Sequence, residues 1–438
     1  MKIAVCGTGY VGLVAAVAFA AKGHHVVGID VDEKKVETLS SGRSPLFEPG
    51  LEALMQSHRE NLSFTLDTAV GYKDADIIFI AVPTPERSDG RANLDFVKTA
   101  CAQIVASNTQ ARFVVIKSTV PPGTNDEIQE YFDSITTERE RIEVISNPEF
   151  LSQGTAVRDM MFPSRIVVGV QSEEAAKLMQ ELYAAFEAPI YEMGLRSAEM
   201  VKYASNDFLA LKISYINEIA NLCDVLGANV EEVAAAMGAD PRIGSAFLRA
   251  GIGYGGSCFP KDTKALHWLS ACEGREIKTI KAAIDVNKNQ RMILLEKAFK
   301  DNQDISGSHI AVLGLSFKPG TDDLRDAPSL DIVKSLLERG AKLHLYDPCA
   351  IENFKKFFPA SDEIFYFDSP RSALEGADFA FLLTEWEEIT SLSPEDFLET
   401  MSSAELYDGR NMFSIDYFAD RGIRYRSIGR PSVGVCVS

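Results

Sequence analysis

One stretch of this sequence concentrates groups that can form and break covalent bonds: Gly251-Ile-Gly-Tyr-Gly-Gly-Ser-Cys258-Phe-Pro-Lys-Asp262. A cysteine sits among glycines and a serine, with Lys261 and Asp262 three and four residues beyond it. Glycines let a backbone approach a ligand closely and take positive φ without a Cβ penalty. A thiol in such a loop beside a cation can become a nucleophile. The same residues also suit a tight turn around an inert cysteine, so the rest of the chain must decide.

A second pattern stands near the N-terminus. Gly7-Thr-Gly9-Tyr-Val-Gly12 follows a strand-like run and opens a helix-like one, the setting a dinucleotide fingerprint requires. Gly7 permits the tight turn, Gly9 lets the backbone reach a pyrophosphate, and Gly12 lets helix and strand pack closely. The helix N-terminus offers free N–H groups and partial positive charge to phosphates. Asp30 ends the next strand, where a carboxylate accepts from both ribose hydroxyls and repels a 2′-phosphate. NAD is therefore favoured over its phosphorylated form.

Weaker signals lie elsewhere. Ser118-Thr-Val-Pro-Pro-Gly-Thr124 and Asn147-Pro-Glu-Phe-Leu151 each follow a candidate strand, where ligands bind in open α/β sheets, although Pro, Gly and Asn also serve as plain turn punctuation. Glu199, Lys202, Tyr203 and Asn206 share one helix face at i, i+3, i+4 and i+7. A solvated stripe would show the same spacing. Lys318-Pro-Gly-Thr-Asp-Asp-Leu-Arg325 places two cations around a turn, suited to phosphate or simply a surface loop.

These residues need a frame to hold them. Short β-branched runs alternating with amphipathic ones predict βα units around a parallel sheet. The expected strands are Ile3–Cys6, His25–Asp30, Asp76–Val82, Phe113–Ser118, Glu143–Ser146 and Ile166–Val170. From Ser197 to about Gly227 apolar residues recur at helical spacing, which predicts one long helix of roughly 45 Å. A second helical region is expected from Thr279 to about Phe299. The βα pattern restarts at Ser308, with strands at His309–Gly314, Lys342–Tyr346, Ala377–Leu383 and Ala404–Tyr407 and a helix at Ser329–Arg339. Asp301–Ser308 reads as a linker. The fold class expected is α/β, with two Rossmann-like doubly wound parallel-sheet domains joined by a long central helix.

Composition narrows the partners. A formal charge of −19 over 438 residues argues against nucleic acid or an acidic membrane surface. The seven cysteines include no CxxC pair, and the six histidines lack ligand spacing, so neither a disulfide framework nor a metal site is expected. From the strand-like start no signal peptide is expected, and the longest apolar run, Val11 to Ala21, is too short to span a bilayer. A cytoplasmic location is expected.

Taken in order, GTGYVG, Phe47-Glu-Pro-Gly-Leu51, KSTVPPGT, NPEFL, GIGYGGSCFPKD, SFKPGTDDLRDAPS and Tyr425-Arg-Ser-Ile-Gly-Arg430 resemble the UDP-glucose/GDP-mannose dehydrogenase family across nearly the whole chain. Tyr254 and Phe259 look more like the members acting on UDP-glucose; another nucleotide sugar, such as GDP-mannose or a UDP-hexosamine, is the alternative. The resemblance implies an NAD-binding domain over 1–196, a central helical domain with the cysteine loop over 197–300, and a UDP-sugar-binding domain over 308–438. It implies oxidation of a sugar C6 alcohol to an acid, using two NAD and one water, for polysaccharide biosynthesis. Cys258 would form a thiohemiacetal and then a thioester. Lys202 and Asn206 would stabilise the oxyanion, and Asp262, with Thr119 and Glu149, would handle water.

By the same resemblance, Gly7, Gly9, Tyr10, Val11, Gly12, Asp30, Lys35, Thr84, Thr119, Lys261 and Arg325 would contact NAD. Glu149, Phe150, Leu151, Lys202, Asn206, Phe247, Leu248, Gly255, Phe317, Lys318 and Arg410 would contact UDP-glucose. Arg242 resembles an arginine contributed by a neighbouring subunit, which implies a homodimer or higher homo-oligomer. The chain departs from the family pattern at Ser152-Gln153, where many relatives carry a glutamate near the nicotinamide; Gln153 keeps the hydrogen-bonding capacity without the charge.

Overall fold

The computed structural model describes residues 1–107, 109–136 and 141–434; Cys436 lies outside the described residues. The chain forms two compact units, Met1–Ser205 with Trp268–Gly274, and Asn206–His267 with Arg275–Ser438.

The first unit is built on eight strands: β1 (Lys2–Cys6), β2 (His25–Ile29), β3 (Leu62–Thr65), β4 (Ile77–Ile80), β5 (Phe113–Ile116), β6 (Glu143–Ser146), β7 (Ile166–Gly169) and β8 (Ile190–Met193). Their order is β3-β2-β1-β4-β5-β6-β7-β8. Strand β1 shows why the sheet is buried on both faces. Ile3 and Val5 join one apolar cluster, while Ala4 and Cys6 join the other, as period-2 alternation requires. The helix Tyr10–Ala21 is buried from Gly12 to Ala20.

The second unit adds β9 (His309–Leu313), β10 (Lys342–Tyr346), β11 (Ile364–Tyr366), β12 (Phe379–Leu382), β13 (Glu405–Asp408) and β14 (Arg424–Arg426). Their order is β11-β10-β9-β12-β13-β14, every pair parallel. Numbered within each unit, the second sheet runs 3-2-1-4-5-6 and the first runs the same order with 7 and 8 added, so both are doubly wound with a switch point beside the first strand.

Three differences from the expected elements have physical causes. Strand β7 pairs antiparallel to β6, through Ser146 and Gly169, so the first sheet is parallel except at this junction. Only the short helix Ala156–Met161 stands between these strands. Strands β3, β8, β11 and β14 had no sequence signal because they are half-exposed, three or four residues long, and each lies at the edge of its sheet. Several expected strands also end one or two residues early, as at Ile80 and Ile116, because the following residues already belong to loops.

The long helix runs Leu195–Leu226, 32 residues, or about 48 Å at 1.5 Å per residue. Its first turns belong to the first unit and the remainder to the second. The second helical region is Lys278–Asp301. Among the described residues no helix is long and apolar enough to cross a membrane.

Candidate active site

In the first unit the loop after β1 has the shape that its glycines allow. Gly7 has φ +91°, and a Cβ there would stand 2.7 Å from the Ala81 carbonyl oxygen. A Cβ on Gly12 would overlap the Gly7 carbonyl oxygen, whereas the Cβ position at Gly9 faces open space. Gly9 precedes the helix without a side-chain cap, which leaves room and N–H groups for a pyrophosphate. Asp30, buried at the end of β2, accepts from the Thr8 amide (2.9 Å) and hydroxyl (2.7 Å) through Oδ2. Its Oδ1 accepts from the Val31 and Asp32 amides. Burial acts to raise the Asp30 carboxyl, but the bonds from Thr8 and Lys35 outweigh it and hold the group below its ordinary range. Lys35 therefore appears as the ion-pair partner of Asp30, 2.9 Å away. These residues fit NAD: a cradle that a side chain would fill, a helix N-terminus, and an ionised carboxylate one strand away.

Tyr10 donates its hydroxyl to Glu48, a buried carboxylate to which sequence reasoning gave no role. Thr84 donates to the Thr119 carbonyl oxygen at 2.9 Å, which ties the loops after β4 and β5 together.

A charged cluster lies beyond β5 and β6. Lys202, 2% exposed on the long helix, donates to Glu149 Oε1 at 2.8 Å, and Glu149 is 6% exposed. Glu149 Oε2 accepts the Leu151 amide at 2.6 Å. Burial raises the Glu149 carboxyl, but Lys202 and this amide more than reverse it, so the group stays ionised. Phe150 faces two cations, with Arg165 at 4.0 Å and Lys202 at 5.6 Å from its ring centre. Lys117, also missed, is fully buried and donates to Asn147 Oδ1 at 3.2 Å. Burial brings its ammonium down to about 8. Its signal was available, because a lysine ends the otherwise apolar run of β5. A cavity of about 280 Å³ opens here, with Lys117, Glu149, Phe150, Leu151, Arg165 and Tyr183 in its wall.

One turn earlier on the helix, Glu199 accepts the Gly123 (2.7 Å) and Asn125 (2.8 Å) amides. It thereby holds the far end of the loop that carries Thr119, and burial pushes its carboxyl up to about 7.

The second unit holds the cysteine loop. Cys258 immediately precedes the helix Phe259–Cys272, and its carbonyl accepts the Asp262 amide at 2.9 Å. Its sulfur lies 3.7 Å from the Ser257 hydroxyl. The helix N-terminus and the Arg325 guanidinium, within electrostatic reach, both favour negative charge on that sulfur. Arg325 is itself held by Asp323, with Nε–Oδ1 at 2.9 Å.

Asp262 is 1% exposed; its Oδ1 pairs with Lys261 Nζ and its Oδ2 accepts Asn206 Nδ2, both at 2.6 Å. Lys261 and Asn206 thus serve Asp262 directly. Next to Asn206, Asp207 is buried with neither carboxylate oxygen hydrogen-bonded among the described residues. Burial, and then the charge of Asp262, push it up to about 8.

Residues far apart in sequence clamp the loop. Asn217 Oδ1 accepts the Gly251 amide (2.9 Å), Gln290 donates to the Gly251 carbonyl (2.8 Å), and Asn287 brackets Tyr254 by its N–H (2.8 Å) and carbonyl (3.0 Å). Asn287 and Gln290, three residues apart, were legible only as polar interruptions of a helical stripe. Arg410 is half-buried and donates to the carbonyls of Gly253 (2.8 Å), Leu383 (3.0 Å) and Phe317 (3.1 Å), so in the second unit it fastens the cysteine loop to its neighbours. Gly255 has no room for a side chain beside Asp326, and Gly256 would meet the Phe317 ring. Lys318 Nζ lies 5.7 Å from the Phe317 ring centre. Leu248 is buried, Phe247 is exposed at φ +65°, and Arg242 is exposed on Asp240.

The second sheet repeats the first loop with a difference. Gly314 has φ +91°, and Asp347 accepts the Leu315 and Ser316 amides as Asp30 accepts Thr8. Here, however, the Trp386 indole also donates to Asp347 Oδ2 at 3.1 Å.

Family models match three consecutive segments: the NAD binding domain of the UDP-glucose/GDP-mannose dehydrogenase family over 1–187, its central domain over 196–289, and its UDP binding domain over 311–415. The chain is 45% identical over 435 residues to a UDP-glucose 6-dehydrogenase of Bacillus subtilis, covering 99% of this chain and 98% of that one. The chain belongs to the UDP-glucose/GDP-mannose dehydrogenase family. Among solved structures of the family, a UDP-glucose dehydrogenase from Pyrobaculum islandicum matches with TM-score 0.88 and 38% identity over 94% of each chain. A UDP-D-ManNAc dehydrogenase from Pyrococcus horikoshii matches with TM-score 0.86 and 29% identity over 98% of this chain and 99% of that one.

Proposed function

We propose that this protein oxidises C6 of UDP-glucose to the carboxylate of UDP-glucuronate, consuming two NAD and one water. The observation that carries the reading is Cys258 at a helix N-terminus, in a glycine loop clamped on several sides, with the buried Asp262–Lys261–Asn206 group one turn further on. NAD, when bound, supplies the hydride acceptor for each oxidation. Gly7, Gly9, Gly12 and Asp30 hold it, with Tyr10, Val11, Lys35, Thr84, Thr119, Gln153, Lys261 and Arg325 around it.

Cys258 acts on the C6 aldehyde. Its thiolate adds to the carbonyl carbon and gives a thiohemiacetal, a tetrahedral carbon able to lose hydride and collapse to a thioester. Water then cleaves the C–S bond, which returns the thiolate and releases the acid. Lys202, paired with Glu149, stabilises the oxyanion together with Asn206. Asp262, paired with Lys261, takes the proton from water, with Thr119 and Glu149 positioning that water. The uridine nucleotide and hexose are assigned to Phe150, Leu151, Phe247, Leu248, Gly255, Phe317 and Lys318; Arg410 contributes by shaping the loop. The roles divide along 1–196, 197–300 and 308–438.

We read the assembly as a homodimer. Phe208, Tyr215 and Leu222 stand exposed at seven-residue spacing on the long helix, and Val225, Leu226, Ile243 and Phe247 are exposed as well. Arg242 lies beside Ile243 and is exposed, paired with Asp240 on the surface that would face a neighbouring copy. Sedimentation equilibrium returning a monomer mass would remove this reading. The cytoplasmic assignment is consistent with six free cysteines among the described residues.

The test is stoichiometry. Wild-type protein should form two NADH per UDP-glucose consumed, and Cys258→Ala should lose that turnover. A ratio near one, or full turnover by the variant, refutes the thioester route. In a panel of nucleotide sugars, activity on a UDP-hexosamine or GDP-mannose without UDP-glucose would transfer the same chemistry to the other substrate.

A further inference from the structure

One buried carboxylate outside the assigned residues gathers donors from two remote stretches of the first unit. Glu48, 7% exposed, lies just before the helix Leu51–Ser57. Its Oε2 accepts the Tyr10 hydroxyl and the Gly154 amide, the latter at 2.7 Å. Its Oε1 accepts the amides of Ala156 (2.7 Å) and Val157 (3.4 Å). The Gly154 amide also lies 3.0 Å from the Tyr10 hydroxyl, so carboxylate, phenol and main chain close a triangle. Tyr10 is the first residue of the dinucleotide helix, and Gly154 directly follows Gln153. Hydrogen bonds to an ionised acceptor are short and geometrically demanding, so the position of one partner fixes the others.

The stretch leading to Glu48 is held along its length. Leu151 donates to Glu149, Ser152 donates to Asp159 at 3.0 Å, and Gly154 and Ala156 donate to Glu48. We propose that Glu48 is a positioning residue that fixes the turn carrying Gln153 to the dinucleotide loop, and so couples sugar-nucleotide binding at Glu149–Leu151 to cofactor binding at Gly7–Gly12. The coupling rests on the function proposed above; the fastening of Tyr10 to Gly154 does not. A group that merely ended the short helix Ala156–Met161 would affect stability and leave cofactor affinity alone.

The experiment compares Glu48→Gln, Tyr10→Phe and the double variant by fluorescence titration with NADH, without sugar and then with saturating UDP-glucose, with a thermal midpoint for each. Each single variant should weaken NADH by about tenfold, the scale of one hydrogen bond to a charged group. The double variant should be no weaker than the worse single, because both remove the same link. UDP-glucose should shift NADH affinity several-fold in wild type and little in any variant. Unchanged NADH affinity in Glu48→Gln, or single effects that multiply in the double, overturns the positioning role. A wild type that turns over UDP-glucose without shifting NADH affinity overturns the coupling alone. Absent turnover of UDP-glucose, with the sugar-free titrations as expected, overturns the substrate assignment and leaves the positioning role standing.

Discussion

Replacing Lys202 by methionine keeps most of the side-chain length and removes the charge that Glu149 faces at 2.8 Å. Both groups are buried, and removing one partner of such a pair strands the other; the usual cost is about 3–5 kcal/mol. Lys117 remains nearby as a second cation acting on Glu149, which places the expected loss near the low end, about 3 kcal/mol. Spread over the roughly 200 residues of the first unit, an unfolding entropy of about 0.4 kcal/mol per degree converts that loss to a midpoint lower by about 7 °C. The sign of the pH dependence follows from Glu149. In wild type its carboxyl lies below the ordinary range, so its contribution is present above that range and fades as pH falls. Without Lys202 burial dominates, the carboxyl rises, and the penalty grows as pH increases from about 4 towards neutrality. The assay is thermal unfolding from pH 5 to 8 of Lys202→Met, Glu149→Gln and the double variant. The double variant should regain most of the midpoint lost by Lys202→Met. A loss that is independent of pH, or that Glu149→Gln does not relieve, refutes the reasoning.

Two further outcomes are expected. Asp207 holds its proton up to about pH 8 in the folded state, so as pH rises from the ordinary carboxylate range towards 8 it costs stability that Asp207→Asn does not. The variant should gain midpoint relative to wild type at pH 8 and much less at pH 5; parallel pH profiles would show that the carboxyl is not the cause. Gly12→Ala should lose NADH binding or fail to fold, because its Cβ would overlap the Gly7 carbonyl oxygen, while Gly23→Ala, with nothing near its Cβ but φ +89°, should cost only stability. Equal NADH affinity in folded Gly12→Ala and wild type would refute the close-packing role.

The loop Gly7–Gly12, the acid Asp30, the apolar strands and the long helix were all legible because they depend on neighbours within one element. Glycine spacing sets a turn, and apolar periodicity sets a strand or a helix, from local sterics and burial alone. The half-exposed strands β3, β8, β11 and β14 escaped because an edge strand buries too little to write a pattern. The same locality explains which site residues could be singled out: Cys258, Lys261 and Asp262 are adjacent, and the glycines announce the loop.

What those residues touch was decided only by the tertiary structure. Lys202 meets Glu149 across 53 positions, Asn206 meets Asp262 across 56, and Arg410 reaches Gly253 across 157. Lys35 pairs with Asp30 and Lys261 with Asp262, and Glu48 joins Tyr10 to Gly154. Such pairs carry no periodic signature. A buried charge must find a partner wherever the winding of the sheets brings one within about 3 Å, so sequence supplied the chemistry of each group and topology supplied its counterpart.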